Sequence, residues 1–407
     1  MKAGCDIETG NKNIAIGHEV DVASATGSCQ FIIGVGSNKW ICGDSSFNIY
    51  DKDGNQLNGG GGGLSNFTES ENTSSPNDTV AANRLIATGS GSNIDAVFQP
   101  KGTGAFLAQL PDSATAGGNK RGCYSVDLQL ERGNAACVAS GCHGAIGGGY
   151  NNKVTGEKAT VAGGFNNSAA WWGSVTGGCS NSAESNWAHV GGGHGNSAGY
   201  AGVVAGGQSN SAGTYASVLG GSSNNASGYG AVSIAAGGST ASGARSTAMG
   251  YYACTYSRAG SISMAANCAS FSGKGKVQET IMQLAVQTTD ATATVARTNT
   301  SSAATSNQLT LPTNSAMVFT GTVVANVTSG GNTHAWQFRG AIKRGSGNVA
   351  LVGTPSIDNI AYDSGASAWS FAISADTTNQ ALAVTVTGQA STTIRWVVNI
   401  HATEVAF

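Results

Sequence analysis

Charged residues are scarce in this sequence. Asp, Glu, Lys and Arg make up 10% of the 407 residues and leave a net charge of −2, whereas an ordinary soluble domain has roughly 25% charged residues. Since no basic stripe is present to displace counterions from phosphates, nucleic-acid binding is not expected. Because disorder in chains of low hydrophobicity is normally driven by a high net charge, we expect an ordered protein.

Proline, long apolar runs and paired cysteines are also lacking. Five prolines and no G-X-Y period exclude collagen and Pro-rich linkers. No run of 18 apolar residues predicts a transmembrane helix, and residues 1–8 lack the apolar region of a signal peptide, so folding in a cytoplasm is expected. The nine cysteines form no C-x-x-C pair, which favours small, reduced side chains over zinc ligands or disulfides. No cofactor is expected.

Glycine is abundant instead, and much of it lies in a repeat. It accounts for 61 residues, about twice its usual share. An apolar-x-Gly-Gly-x-x-Asn-x-Ala phrase recurs at spacings of 15, 14, 15, 14 and 14 residues, with first residues Ile146, Val161, Val175, Val190, Val204 and Val218. Looser copies begin at Ser233, Ser246 and Ser261, and degenerate copies at Asn13, Phe31 and Trp40.

The period of about 14 residues suits one coil of a β-solenoid, with two short strands and two tight turns. It is too short for a helix pair, and each Gly would destabilise a helix by roughly 1 kcal/mol. The Gly pair and the Asn at offset six are predicted to occupy turn positions with positive φ. Val or Ile at offset zero and Ala at offset eight predict a thin interior, so stacking and oligomerisation must bury further apolar surface.

These phrases resemble the left-handed β-roll head repeats of trimeric autotransporter adhesins (YadA-like), and more closely the same repeats in tail fibres of tailed bacteriophages. Further blocks resemble tail fibres in the same order, at residues 99–112 and 116–129 before the repeats and at residues 352–388 and 393–405 after them. The resemblance covers nearly the whole chain. It implies a parallel homotrimer in which three rolls pack around one axis.

The predicted fold is all-β, a trimeric left-handed parallel β-roll (β-solenoid) shaft with a C-terminal antiparallel β-sandwich (jelly-roll-like) knob. The predicted parts are an N-terminal degenerate β-roll that could dock on the virion (1–50), a Gly-rich hinge (51–64), a short-stranded connecting region (65–135), the main β-roll (136–272) and the knob (273–407). Residues 273–276 are predicted to form a second hinge or neck. In the knob, alternating patterns predict strands at 317–323, 335–338, 369–373, 383–386 and 394–400.

An aromatic column recurs three positions before the next Val. Its members are Trp172, Trp187, Tyr215 and Tyr229, with Trp171 and Tyr200 one position away. Stacked coils would place these side chains about 4.8 Å apart. Two interpretations remain open: a strip that stacks on sugar rings of a host polysaccharide, or a ladder that packs coil on coil or seals the trimer seam.

A second column, at offset four, is chemically varied. It contains Tyr150, Phe165, Cys179, His194, Gln208 and Ser222, and this variety predicts an outward or loosely packed face. Cys179 and His194 would be neighbours, but no further ligand lies at zinc spacing, so no metal site is predicted within one chain; a His₃ site on the axis of the trimer stays an open alternative.

Acidic residues are nearly absent from the repeats, which argues against an enzyme that cleaves polysaccharide. Glycosidases need two carboxyl groups about 5 to 9.5 Å apart. Glu157 and Glu184 are the only acidic residues of the main β-roll, and a separation of two coils puts them about 10 Å apart. Asp358, Asp363 and Asp376 are predicted to lie in Gly-, Ser- and Asn-rich loops, where turn formation explains them. No enzymatic activity is expected.

The sequence therefore predicts a homotrimeric phage tail fibre, located in the virion, that attaches to the host by multivalent binding. Expected partners are further copies of the chain, other tail or baseplate proteins, and a host polysaccharide, lipopolysaccharide or outer-membrane protein. The candidate receptor contacts in the knob are Tyr362, Asp363, Trp369 and Trp336, and the two Trp side chains suit the core equally well. The alternatives are a polysaccharide-degrading tailspike and a bacterial trimeric surface adhesin, whose usual signal peptide, heptads and lipid-facing strands are missing here.

Overall fold

The computed structural model describes residues 14–18, 31–35, 38–43, 49–51, 67–72, 82–88, 90–266, 271, 273–328 and 330–407. These residues form β-strands and one 3-10 helix, Ser364–Ala366. The chain divides into two compact units, Met1–Phe98 and Gln99–Phe407. Apart from Asp51, the predicted hinge at 51–64 lies outside the described residues. Among those residues, no helix has the length and apolar character that crossing a membrane requires.

The first unit contains short strands, and of its described pairs only the first is parallel, as in a solenoid. Its described strands are β1 (Ile14–His18), β2 (Phe31–Val35), β3 (Asn38–Gly43), β4 (Ile49–Asp51), β5 (Phe67–Asn72) and β6 (Ala82–Ala87). Strands β1 and β2 pair in parallel, whereas β2–β3, β3–β4 and β5–β6 pair antiparallel. The degenerate β-roll predicted for 1–50 therefore does not continue into the Trp40 copy, which pairs antiparallel. Only residues 36–37 join β2 to β3, and a parallel crossover needs about a dozen residues.

The second unit begins with a β-solenoid built from two columns of parallel strands. The first column contains β7 (Phe106–Leu107), β8 (Val126–Asp127), β9 (Ala145–Ile146), β11 (Thr160–Val161), β13 (Ser174–Val175), β15 (His189–Val190), β17 (Val203–Val204), β19 (Ser217–Val218), β21 (Val232–Ile234), β22 (Thr247–Gly250) and β23 (Ile262–Ala265). The second contains β10 (Lys153–Val154), β12 (Ser168–Ala169), β14 (Ser182–Ala183), β16 (Ser197–Ala198), β18 (Ser211–Ala212) and β20 (Asn225–Ala226). Equivalent residues of successive coils are partners, as in Val161↔Val175, so the predicted coil is confirmed.

The interior of the solenoid is a line of small apolar side chains. Val161 at offset zero and Ala169 at offset eight are both 0% exposed, as the repeat predicts. Because strand residues alternate between the two faces, the preceding residues Thr160 and Ser168 point away from this core. The coil therefore encloses little more than one Val and one or two Ala per turn.

A buried Asn at offset six links each coil to the next. Asn181 donates hydrogen bonds of 2.9 Å from Nδ2 to the carbonyls of Gly177 and Gly193, and its Oδ1 accepts one of 3.0 Å from the amide of Asn196. The same pattern holds at Asn152, Asn167, Asn196, Asn210 and Asn224. Positive φ at this Asn was a wrong prediction: the preceding residue, here Ser180 at φ 56°, takes it.

The second Gly of each pair does occupy the predicted turn position. Gly178 has φ 85°, and a Cβ placed there would lie 2.2 Å from the carbonyl oxygen of Gly193 in the next coil. The close approach of the two backbones therefore leaves no room for a side chain, which only Gly tolerates.

The C-terminal part of the second unit consists of antiparallel strands in two sheets. The strands are β24 (Val277–Thr288), β25 (Thr294–Val295), β26 (Leu309–Thr310), β27 (Ser315–Val327), β28 (Thr333–Arg344), β29 (Val349–Leu351), β30 (Ser356–Tyr362), β31 (Ser370–Asp376), β32 (Ala381–Thr387) and β33 (Ile394–Ala406). The larger sheet has the order β24-β33-β27-β28, followed by β30 and β29, which both pair with β28. In the smaller sheet β25, β26 and β31 all pair with β32.

One apolar core fills the space between the two sheets. Phe338 and Trp336 of the larger sheet contact Phe371 of the smaller sheet, with ring centroids 5.7 and 5.6 Å apart. Leu284 and Val384 belong to the same cluster. The five predicted knob strands are all present, and the two sheets with a common core form the antiparallel knob.

The solenoid is joined firmly to this knob. Strand β23, the last of the first column, pairs antiparallel with β24, so one sheet continues across the junction. The fully buried guanidinium of Arg258 forms a bidentate pair with the carboxylate of Glu404 (2.5 and 3.1 Å) and donates to the carbonyl of Thr310. Packed structure thus bridges the predicted hinge or neck at 273–276.

A disulfide joins Cys123 and Cys142, contrary to the prediction that all cysteines are reduced. Successive coils bring their Cα atoms to 4.7 Å, within the range that a disulfide requires. Their separation of 19 residues differs from the repeat period, so the spacing gave no sign of this contact. Among the described residues Cys137, Cys179 and Cys254 are free.

Candidate functional site

The aromatic column forms a continuous ladder along the solenoid. Trp172, Trp187, Tyr200, Tyr215 and Tyr229 follow one another with ring-centroid distances of 5.3, 5.3, 5.4 and 5.2 Å. Trp187, Tyr215 and Tyr229 are 52%, 49% and 58% exposed. The predicted column is confirmed, and Tyr200 joins it from one position away. We call these five residues the aromatic ladder.

Ring orientation decides which surfaces the aromatic ladder offers to a ligand. Trp172 and Trp187 are stacked with an interplanar angle of 15°, so their facing surfaces cover each other. Tyr200 stands nearly perpendicular to Trp187 and to Tyr215, at 85° and 77°. The ladder therefore packs coil on coil, as one of the two interpretations requires, and its Tyr rings leave part of their faces open for stacking.

The backbone under the aromatic ladder is held in an uncommon conformation. Trp172, Trp187 and Tyr215 have φ of 49°, 57° and 55°, a region that bulky residues rarely occupy. Lys158 takes the same turn position with φ 54°, and its ammonium lies 5.9 Å from the Trp172 ring centroid in a cation–π contact. Ala201, Gly230 and Arg245 take this backbone conformation in other coils, so it belongs to the turn of the repeat, where neighbouring coils impose it.

The second column is also assembled as predicted. Bridges run in parallel from Tyr150 through Ser222, and the rings of Tyr150 and Phe165 stack at 5.5 Å. Cys179 and His194 are bridge partners. The part of the chain that the structure describes contains no group of three or more potential metal ligands.

The predicted knob contacts divide into two exposed and two buried residues. Tyr362 is 54% exposed, and the carboxylate of Asp363 accepts a hydrogen bond of 2.8 Å from the amide of Thr333. Trp336 and Trp369 are only 4% and 3% exposed. Both Trp rings pack against the ring of Trp396 in the core, so the interpretation of Trp336 and Trp369 as receptor contacts is wrong.

The acidic residues also have identifiable local partners. Glu157 pairs with Lys158 at 3.0 Å, and Glu184 accepts from the hydroxyl of Ser197 at 2.7 Å. Asp376 caps a turn by accepting from the amides at 378 and 379, at 3.0 and 2.9 Å, as turn chemistry predicts. Asp358 departs from that prediction because it lies within strand β30.

Sequence reasoning missed a cleft on the outer face of the larger knob sheet. Its volume is about 410 Å³, and it is lined by Thr320, Gly321, Thr322, Gln337, Phe338, Arg339, Asp358, Asn399 and His401. These residues come from β27, β28, β30 and β33. We call this the knob cleft. The alternation of outward polar residues along each strand was the available signal, but the register between strands was needed to combine them.

Comparison with known proteins gives only a weak likeness. No family model and no curated protein matches the sequence. Among solved structures, the tailspike protein gp49 from Acinetobacter baumannii bacteriophage Fri1, a capsular polysaccharide depolymerase, has 8% identity and a TM-score of 0.18 over 74% of this chain and 58% of its own. The Acinetobacter phage vB_ApiP_P1 tailspike has 8% identity and a TM-score of 0.17 over 69% and 59%.

A third tailspike is similar to this chain at an equally low level. That of Acinetobacter baumannii phage AM24 has 7% identity and a TM-score of 0.18 over 71% of this chain and 60% of its own. The present chain thus spans less than two thirds of the length of each tailspike. The likeness is weak. It carries no argument about what this chain binds or catalyses.

Proposed function

We propose that this chain is the attachment fibre of a tailed bacteriophage, a structural virion protein that binds host-surface glycan without cleaving it. The observation that carries the proposal is the junction between solenoid and knob. The β23–β24 pairing and the buried Arg258–Glu404 pair make the solenoid a stiff spacer with a globular tip. A fibre that presents a receptor-binding domain needs this arrangement, and the sequence blocks that resemble tail fibres lie in the same two parts.

The proposal includes a parallel homotrimer of left-handed rolls. In the single chain the apolar core of the coils consists of Val and Ala side chains and one Ile, while larger apolar side chains remain at the surface. Trp171, Leu219 and Ile234 are 52%, 56% and 40% exposed on the solenoid. Two further copies would remove such side chains from water, which contributes about 25 cal/mol per Å² of apolar surface. Three copies would also multiply weak glycan contacts into firm attachment.

The proposed contacts are Tyr362 and Asp363 on the knob, with the aromatic ladder as a second surface. Adhesion without cleavage is supported by the acidic residues of the solenoid. Asp127 is buried 2.7 Å from Arg121, and the partners of Glu157 and Glu184 were given above. A buried, ion-paired Asp127 has no access to a substrate and so does not supply one of the two facing carboxyl groups of a glycosidase.

The oligomeric state is tested by sedimentation equilibrium of the full chain. A single species of three times the 40.4 kDa chain mass is expected, because the exposed apolar side chains need partners. A double variant Trp171→Ser with Leu219→Ser is expected to weaken association, whereas Tyr362→Ser on the knob leaves it unchanged. A stable monomer at micromolar concentration would contradict the trimer.

Binding is tested with the full chain on an array of purified bacterial capsular polysaccharides and lipopolysaccharides. Retention on a subset of glycans without new reducing ends is expected. Tyr362→Ala is expected to reduce retention about tenfold, the loss of one stacked ring at about 1.4 kcal/mol, and Tyr150→Ala serves as the exposed aromatic control. New reducing ends would instead indicate a depolymerase, and retention that depends on Trp187 and Tyr215 would move the contact to the solenoid.

A further inference from the structure

The knob cleft presents two rows of polar side chains across four adjacent strands. In one row Asn399, Thr322, Gln337 and Asp358 are successive cross-strand partners. The other row runs through His401, Thr320 and Arg339, which are likewise paired. Two residues separate the rows along each strand, a distance of about 7 Å at the rise of an extended strand. The rows are therefore spaced on the scale of one six-membered sugar ring.

The two rows carry different charges. Arg339 supplies a guanidinium in one row, and Asp358 supplies a carboxylate in the other. No hydrogen bond or ion pair within the described residues occupies the side chains of Arg339, Gln337 or Asn399, while Asp358 accepts only a 3.3 Å bond from the hydroxyl of Ser356. A guanidinium binds a carboxylate in a bidentate manner, and amides can both donate to and accept from hydroxyls.

His401 extends the hydroxyl-binding capacity of the row that contains Arg339. Its Nδ1 lies 3.3 Å from Oε1 of Glu279, and both side chains are about half exposed, at 45% and 46%. When Nδ1–H donates to Glu279, the neutral ring keeps Nε2 as an acceptor for a sugar hydroxyl. The nearby Glu279 carboxylate also repels an anion at His401, so a ligand carboxylate is directed to Arg339.

We infer that the knob cleft binds one uronic-acid residue of a glycan, with its carboxylate on Arg339 and its hydroxyls on Asp358, Gln337 and Asn399. The volume of about 410 Å³ is in the range of small-ligand sites. A uronic acid would be the class of sugar that the proposed attachment fibre recognises. The biological context of the inference rests on that proposed function. Binding of the sugar itself is a property of the cleft.

The inference is tested by titrating the full chain with D-glucuronic acid and following the sugar by saturation-transfer NMR. Millimolar binding is expected, with D-glucose at least fivefold weaker because it lacks the carboxylate. Arg339→Gln is expected to weaken glucuronate binding at least tenfold and glucose binding little. Asp358→Asn is expected to weaken both sugars several-fold. Lys343→Gln removes a positive charge from an exposed position of the same strand outside the cleft and is expected to change neither.

Two outcomes would overturn the inference: glucuronate that fails to bind, or an affinity that Arg339→Gln leaves unchanged, whether or not Lys343→Gln lowers it. Failure of the cleft can be told from failure of the attachment function. If the chain is retained on the polysaccharide array and Arg339→Gln is retained equally well on every glycan, attachment stands and the cleft is refuted. If glucuronate binds in the cleft but no polysaccharide retains the chain, the cleft stands and attachment is refuted.

Discussion

Replacement of Glu404 by Ala is expected to lower the free energy of unfolding by about 3–5 kcal/mol, because it leaves the buried Arg258 guanidinium without its counter-ion. Both side chains are almost fully buried, at 0% and 1% exposure, so water cannot replace the lost carboxylate. Glu404 also accepts a bond of 3.2 Å from Gln278, which the variant removes. Calorimetric unfolding of the full chain would show a markedly lower melting temperature for the knob.

Two matched variants separate the buried charge from general damage to strand β33. Glu279→Ala breaks the exposed pair with His401, which lies on β33 like Glu404, and exposed pairs contribute only about 0–1 kcal/mol. The double variant Arg258→Met with Glu404→Leu removes both charges, so it is expected to recover much of the stability lost in Glu404→Ala. Equal losses in Glu404→Ala and Glu279→Ala would show that the buried pair does not hold solenoid and knob together.

The solenoid was predictable because its order is local. Offset zero and offset eight reach the core through strand alternation within a single coil, so Val161 and Ala169 could be assigned without knowing any distant contact. The role of the offset-six Asn was not predictable in the same way. Its three bonds reach its own coil and the next one, and turn preference alone favoured the positive φ that Ser180 takes instead.

The knob was predictable as strands but not as a surface. The knob cleft brings residues near 320 beside residues near 400, and this pairing depends on the register of β27 against β33. The same long-range order decides which side of a strand faces the core. Side chains alternate between the two faces of β28, so Trp336 is buried and its neighbour Gln337 is exposed. The composition of the segment could not show which of the two faces meets the core. Asp358 was misplaced in a loop for the same reason.

Replacement of Asn196 by Ala is expected to destabilise the solenoid by about 2–6 kcal/mol, because each of two buried groups left without a partner costs about 1–3 kcal/mol. Asn196 is 1% exposed. Its Nδ2 donates to Gly192 and Gly207 at 2.8 Å, and its Oδ1 accepts from Asn210 at 2.9 Å. The carbonyl of Gly207 keeps a second donor in the amide of His194, so the orphaned groups are the Gly192 carbonyl and the Asn210 amide.

The variant Asn196→Asp tests the contribution of the Nδ2 donor of Asn196. The acid keeps an oxygen for the Asn210 amide but places its other oxygen against two carbonyls, and burial there raises its pKa above the unfolded value. Since the folded form then binds more protons than the unfolded form, stability is present at acidic pH and is lost as the pH rises through the folded pKa. Denaturant unfolding at pH 4 and pH 7 is expected to show this dependence for Asn196→Asp and not for Asn196→Ala.

The control is Gln208→Ala, at an exposed position of the next coil. Its free energy of unfolding is expected to lie within about 0.5 kcal/mol of that of the parent. A solenoid that unfolds identically in all three variants would mean that stacking of the β-strands, and not the Asn bonds, holds successive coils together.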